Sequence, residues 1–380
     1  MSTICAWHVA TRRAAPARGA TTLPPPPPRY PELANFTWRY PNAAGAAAWE
    51  GVPFPENAGA TRARCMAAGN TCTWTHDLWT SHALAALDAH AARVRALGAS
   101  AAPPLFLYLA YTDPHAGGWS GTDEAGNPVP SDDGRVAFSG ETAWPANERD
   151  HASVIVNFQD RDVGALVARL DALGLTADTA VLFASDNGAS NEGGHDYAFF
   201  GSSGPLRGFK RCLTEGGIRT PLSITWPGRV AAGVTSPLPV AFWDVSDTIL
   251  ELAGVPAAAR LRQDGASFAA ALASPSGVAP GAAGHPLYWE FCTAVHPPLE
   301  PRKGTGWGHA VRNDTWKLVS FFVDQAPRLY DLSADVYEVN DVAAANPAVA
   351  AALEAWAKAQ HVDSAIFPVV DCTSSAFDHW

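Results

Sequence analysis

The chain predicts an α/β fold: a mostly parallel sheet sandwiched by helices, followed by a smaller C-terminal α+β subdomain that carries an antiparallel sheet. Three observations lead there. Residues 104–111 (PLFLYLAY) and 180–184 (AVLFA) are continuously apolar, as strands buried on both faces are. Between them lie apolar positions at helical spacing, so strand and helix alternate as in a doubly wound sheet. Beyond residue 257 the composition turns to Ala, Gly, Ser and Pro and then to short alternating segments of hairpin character. Three units follow: a low-complexity Ala/Arg/Pro-rich tail at 1–30, a first domain at 31–257 and a C-terminal subdomain at 258–380.

Taken in order, the tail ends in Pro24–Pro28, a polyproline II stretch that belongs to no packed core. Residues 31–74 are aromatic and loop-like. Thr75-His76-Asp77 opens a helix whose Leu78, Ala83, Leu84, Leu87, Ala91, Val94 and Leu97 recur at helical spacing until Gly98. The strand at 104–111 runs into Thr112-Asp113-Pro114-His115, placing His115 just past its carboxyl end. A Gly-, Ser-, Asp- and Pro-rich surface loop at 117–145 precedes a long helix over about 148–173. Its Val154, Val156, Phe158, Val163, Leu166, Val167 and Leu170 lie largely on one face. The strand at 180–184 delivers Ser185-Asp186-Asn187-Gly188, and a polar, glycine-rich excursion returns through Arg219-Thr220-Pro221 into a strand at 222–226. That excursion far exceeds the usual connection of about 4–6 residues, which points to a functional loop. Asp244 is placed to cap a helix through Ile249, Leu250 and Leu252 to Gly254. Antiparallel strands are expected at 287–291, 309–322 and 328–332, and a last helix at 347–358.

Composition bounds the function. Apolar content of 47% with 17% charged residues describes a globular chain, and 380 residues suffice for about two domains. A net charge of −11 leaves no basic excess to displace counterions from phosphates, so a nucleic-acid partner is not expected. None of the six cysteines forms a CxxC pair, which argues against zinc. Cys65 and Cys72 are either a small-loop disulfide or two ordinary thiols. Asn35-Phe36-Thr37 and Asn313-Asp314-Thr315 match the glycosylation sequon. Residues 1–20 carry Arg12, Arg13 and Arg18 without the apolar core of a signal peptide. No apolar run reaches the roughly 20 residues of a transmembrane segment.

Candidate chemistry gathers at the two strand ends. Asp186 and Asn187 pair a carboxylate with an amide oxygen, hard donors suited to Ca²⁺ or Mg²⁺, provided the strand ends there and Gly188 lets it turn. The other reading is an Asx-type turn without metal. Lys210, and Arg207 before it, offer a cation to an anionic group; each is otherwise a solvated surface charge. His115, fixed by Pro114, suits proton donation, against a plain surface imidazole. His195 in Glu192-Gly193-Gly194-His195 is within reach of a substrate, and Asp113 is a similar case. Glu215 and Arg219 form a candidate support pair.

Jointly these elements are more specific. His115 after one strand, Asp186-Asn187 after the next, then GPLRGFK and EGGIRTPLSITWPGR, closely resemble the type I, formylglycine-dependent sulfatases (the arylsulfatase family). The resemblance continues through DVSDTILELAG, Asp264-Gly265, Trp316-Lys317-Leu318-Val319, Leu329-Tyr330-Asp331-Leu332 and Glu338-Val339-Asn340-Asp341. It covers about residues 70–360, which makes 31–257 part of a catalytic domain. It implies an alkaline-phosphatase-like fold and metal-assisted hydrolysis of a sulfate ester, on a sulfated small molecule or glycan. Carried over by position, Asp186 and Asn187 match two ligands of a divalent ion, usually Ca²⁺ or else Mg²⁺. Lys210 matches the sulfate-binding lysine and His115 the histidine beside the leaving oxygen, a candidate general acid; His195 is a further substrate contact. The family also implies a secreted, lysosomal or periplasmic-type compartment.

The chain departs from that pattern at the nucleophile. Formylglycine arises in a Cys/Ser-x-Pro-x-Arg motif, and no cysteine here has it; Ser203-Gly204-Pro205-Leu206-Arg207 fits the letters but belongs to the segment leading to Lys210. The paired aspartates that end the family's first strand have no counterpart either. The first strand is therefore expected to be missing, exposing apolar sheet edges, and this chain alone is expected to be inactive. Because the losses all lie on one side, the leading expectation is a sulfatase whose recorded start is truncated or mis-joined. The alternatives are a sulfatase-like pseudoenzyme that binds sulfated glycans, or a phosphomonoester or phosphonate hydrolase of the same superfamily. Oligomeric state is not legible.

Overall fold

The structure, a computed structural model, describes residues 4–10, 75–111, 114–115, 143–190, 196–260, 264–278, 284–293, 306–321 and 326–362. Asp113, His195, Cys65, Cys72, Asn35 and the proline run lie outside those residues.

Four strands form the first sheet: β1 (Ile4–Ala10), β2 (Phe106–Tyr111), β3 (Thr179–Ala184) and β4 (Leu222–Thr225), in the order β2-β1-β3-β4. The expectation of a mostly parallel sheet is corrected here, because all three ladders are antiparallel. For two of the three the physical reason is β1. It enters between β2 and β3, running opposite to both, so those two strands remain parallel to each other without touching. The low-complexity reading of residues 1–30 is likewise corrected, since Ile4–Ala10 is a central strand. The lane expected to stand empty is filled from within the chain.

Helices cover both faces of this sheet. On one side α1 (Thr75–Leu97) and α3 (Arg161–Ala172) bring Ala83, Leu87, Ala91, Leu166 and Leu170 against Leu109 and Tyr111 of β2. On the other, α5 (Phe242–Leu252) packs Val245 and Ile249 on Ala180 and Leu182 of β3, joined by Phe268 and Ala271. Val181 turns to the first cluster and its even-numbered neighbours to the second, the period of two that a strand imposes. α1 ends where Gly98 adopts a left-handed φ of 81° and donates its N–H to the Val94 carbonyl.

The expected long helix forms with an interruption: α2 (Ala146–Ser153) passes through a π-helical stretch, Val154–Asp160, into α3. At the start of α5 Asp244 sits three residues inside the cap, not at it, and its Oδ2 accepts the Ala241 N–H at 2.7 Å. The short helices α4 (Glu215–Ile218) and α6 (Ala269–Leu272) complete this part.

The second sheet is an antiparallel meander, β5 (Leu287–Thr293), β6 (Gly306–Asn313), β7 (Trp316–Ser320) and β8 (Arg328–Asp331). The single strand expected over 309–322 is two strands, turned at Asp314, whose φ of 54° breaks the run. Helix α7 (Pro347–Gln360) covers one face with Leu353 and Ala357 against Val311, Leu318 and Leu329. On the other face Ala310, Val319 and Tyr330 receive Leu213, a residue of the long excursion. Among the described residues no helix is long and apolar enough to cross a membrane.

Candidate active site at the sheet edge

Because β2 and β3 run in the same direction, their carboxyl ends open at one edge. His115 leaves from the first and Asp186 from the second. The excursion returns to that same edge, where Leu222 pairs with Ala184 and the Pro221 carbonyl accepts the Ser185 N–H at 3.3 Å. Ligands of open α/β sheets gather at such ends.

The structure brings Lys210 and His115 together: Nζ lies 2.8 Å from Nε2. An ammonium has only donors, so in this contact Nε2 is placed to accept from Nζ. Lys210 is only 8% exposed, which rules out the solvated-cation reading. Its backbone is fixed as well, N–H to the Ala189 carbonyl at 2.7 Å, so the lysine segment is laced to the one that follows Asp186 and Asn187.

Local sequence makes this close approach possible. A Cβ on Gly188 would stand 1.8 Å from the Gly216 carbonyl oxygen, and its N–H instead reaches the Gly217 carbonyl at 2.9 Å. Expected to let the strand end turn, Gly188 serves backbone proximity, without a positive φ. Gly208 does adopt one, 83°, beneath Thr214 and Cys212. Burial pushes the Cys212 thiol up to about 11, so it stays protonated and inert.

Asp186 and Asn187 are half-buried where β3 ends. The Asn187 amide donates Nδ2 to the Gly188 carbonyl at 2.9 Å, and the Ser185 hydroxyl donates to the Asn187 carbonyl at 2.9 Å. These are the contacts of a turn, and they leave the amide oxygen to face away from the Gly188 carbonyl. A carboxylate and an amide oxygen have the right hardness for Ca²⁺, which takes about 6–8 oxygens. Among the described residues no group of three or more His, Cys, Asp or Glu joins them to hold a metal ion.

Two sequence readings shift. Arg207, half-buried, reaches to the second sheet, Nη1 donating to the Glu338 carbonyl at 2.8 Å and the Tyr330 hydroxyl at 3.3 Å. Arg219 is a distant partner of Glu215 at 3.7 Å, whereas Lys317 at 2.9 Å and Arg312 at 3.0 Å hold it closely. Both were missed. The available signal was a lysine inside the mostly apolar run WKLVS, a strand buried from Lys317 to Ser320.

Comparison with known proteins follows the same stretch. A sulfatase family model matches residues 77–255, and one for the C-terminal part of N-sulphoglucosamine sulphohydrolase matches 208–360. Steryl-sulfatase of Mus musculus is 40% identical over 101 residues, 26% of this chain and 16% of that protein. Arylsulfatase A of Homo sapiens is 35% identical over 119 residues, 31% of this chain and 23% of that one. A sulfatase of Formosa agariphila is 29% identical over 216 residues, 53% and 37% respectively. The crystal structure of Ps i-CgsB in complex with k-i-k-neocarrahexaose aligns with a TM-score of 0.56 at 25% identity, over 76% of this chain and 56% of that one. The chain thus spans well under two thirds of the length of the relatives it matches. Both family models run through the loop that sets Lys210, and the alkaline-phosphatase-like fold of the solved neighbours agrees with them: residues 77–360 of the chain belong to the type I sulfatase family, as its C-terminal part.

Proposed function

We propose that the Lys210–His115 edge binds the sulfate group of a sulfated small molecule or glycan, as one wall of a sulfuric ester hydrolase site. The observation that carries this is the 2.8 Å contact between a buried lysine of the long excursion and a histidine just past the end of β2. A buried ammonium needs an anion or an acceptor, and a sulfate oxygen is a better one than an imidazole nitrogen. On binding, the ester would draw the Lys210 N–H bonds to its equatorial oxygens. That releases Nε2 of His115, which must carry a proton before it can give one to the departing oxygen. Asp186 and Asn187 would contribute two oxygens to a divalent cation, which in such a site offsets developing charge on the sulfate. No residue of the described chain fills the role of a formylglycine precursor, so binding without turnover is the behaviour proposed for this chain by itself.

Titration calorimetry of the whole chain with sodium sulfate tests the binding half. Lys210→Met should weaken binding about tenfold or more, the worth of a charge-assisted hydrogen bond. Unchanged affinity in that variant would sink the sulfate reading. Release of 4-nitrophenol from 4-nitrophenyl sulfate above the buffer rate, abolished in the same variant, would overturn the proposal that the chain binds without turnover.

A further inference from the structure

Lys317, the second residue of β7, has a side-chain exposure of 0%. It stands between two carboxylates, Glu215 Oε1 at 2.9 Å and Glu338 Oε1 at 2.8 Å, both buried. Glu215 also receives Arg312 Nη1 at 3.0 Å, and its own N–H donates to Glu338 Oε2 at 2.7 Å. Arg312, Lys317 and Tyr330 are cross-strand neighbours in one row of the second sheet. That row faces the loop, where Tyr330 accepts from Arg207.

From this anchor a chain of backbone contacts leads to the sulfate edge. Glu215 is followed by Gly216, whose N–H donates to the Arg207 carbonyl at 2.7 Å. A Cβ there would lie 2.2 Å from the Gly208 carbonyl oxygen. Gly217 is as tight, 2.1 Å from the Cys212 oxygen and 2.6 Å from that of Phe209, the residue before Lys210. Its carbonyl accepts from Gly188, and Ala189 accepts from Lys210. Backbone packed on backbone has no soft side chain to absorb a shift, so a displacement of Glu215 moves both segments of the edge.

We infer that Lys317, clamped between Glu215 and Glu338, is a positioning residue that sets the Lys210–His115 contact from the second sheet. The inference rests on the sulfate-site reading of that contact. Removing the ammonium takes from Glu338 the cation at 2.8 Å and leaves Glu215 with Arg312 as its close cation, so two buried carboxylates lose the charge that bridges them and must separate or take up a proton. Burial already works against both acids. In Glu215 the lysine and Arg312 outweigh it and hold the carboxyl below its usual range, whereas in Glu338 burial prevails and pushes it up. The pair therefore depends on Lys317 to stay together.

The experiment uses the whole chain and the variant Lys317→Met, which keeps side-chain length and removes the charge. Two quantities are read: affinity for inorganic sulfate by calorimetry, and the ¹⁵N resonance of the His115 ring. Sulfate binding should weaken about fivefold or more, and Lys317→Met added to Lys210→Met should cost little further, because the first acts through the second. The His115 Nε2 resonance should move in Lys317→Met without any ligand, which a purely stabilising ion pair remote from the edge would not cause. Wild-type affinity, full additivity of the two variants, or an unmoved His115 resonance would each overturn the positioning role. Failure of the unsubstituted chain to bind sulfate would count against the sulfate reading alone, and the His115 resonance would still decide this one. Should Lys317→Met not fold, Glu338→Gln, which keeps volume and one acceptor, is read by the same two measurements.

Discussion

Asp162 illustrates how much a single buried carboxylate organises. Its Oδ2 accepts the Thr80 hydroxyl at 2.6 Å and lies 3.3 Å from His76 Nε2, while Oδ1 is held by the neighbouring Arg161. Arg161 reaches on to Asp77 at 2.7 Å. Thr80 shares its oxygen with the Tyr111 hydroxyl at 2.8 Å, and burial pushes that phenol up to about 12. Burial would raise the Asp162 carboxyl too, but the His76, Arg161 and Thr80 bonds prevail and bring it from 3.8 down to about 2. A depressed acid stabilises the fold fully above its unfolded value and ceases to as pH falls through the folded one. The window is therefore about pH 4 down to about 2, and the contribution roughly 2 kcal/mol. Urea unfolding should show that loss in the parent chain. Asp162→Asn should flatten it while costing about 3 kcal/mol at pH 7, the usual result of leaving buried cations without their partner. None of this was legible in the sequence. His76 and Asp77 read as a helix start, which they are, but their partners stand more than 80 positions away and no local pattern joins them.

At the scale of elements, legibility followed local physics. The helix from Thr75, the strand ending at Ala184 and the helix from Pro347 each announce themselves by period and cap, and each forms. The long helix shows where period fails. Val154 and Phe158 are buried as expected, yet Val156 is 48% exposed, because two positions on from Val154 lies about 200° round a helix of 3.6 residues per turn; the π-helical bulge over Val154–Asp160 is a second departure. Such a bulge answers to tertiary packing, in this case of Phe158 beneath His76, and leaves no mark in apolar spacing. Helix α7 and the second sheet are each expected from the sequence, and the structure adds the contact between them. Leu353 seals the face formed by Val311, Leu318 and Leu329. Leu353→Ala should cost about 2–4 kcal/mol through lost burial and a residual cavity, read as a lower urea midpoint with unchanged slope. A loss below about 0.5 kcal/mol would mean that α7 does not cover that face.

For the molecule as a whole, the site was more legible than the sheet that holds it. His115, Asp186 and Asn187 could be placed at strand ends because each comes within a few residues of an apolar run, and those two strands run in the same direction; Lys210 could be placed only within the excursion between strands. Strand direction could not be read, because it depends on which segment enters between β2 and β3. Ile4–Ala10 has neither alternation nor flanking turn residues to betray it. Yet its position carries the greatest mechanical demand in the fold. Trp7, His8 and Val9 are registered with both neighbours at once, opposite Tyr108, Leu107 and Phe106 on one side and Leu182, Val181 and Ala180 on the other. A central strand spends its amides on both sides, so proline there removes a ladder bond and crowds the next chain at a cost of about 3 kcal/mol or more. His8→Pro should therefore free two facing strand edges in the middle of a buried sheet, and edges of that kind recruit other chains. Size-exclusion chromatography with light scattering should find the variant in soluble aggregates at concentrations where the parent chain is not. Ile4→Pro is the control, since the first residue of a strand tolerates proline and Ile4 is registered with Tyr111 alone. If His8→Pro elutes and unfolds like Ile4→Pro, β1 is not a working member of the sheet, and β2 and β3 must be held apart by their helices alone.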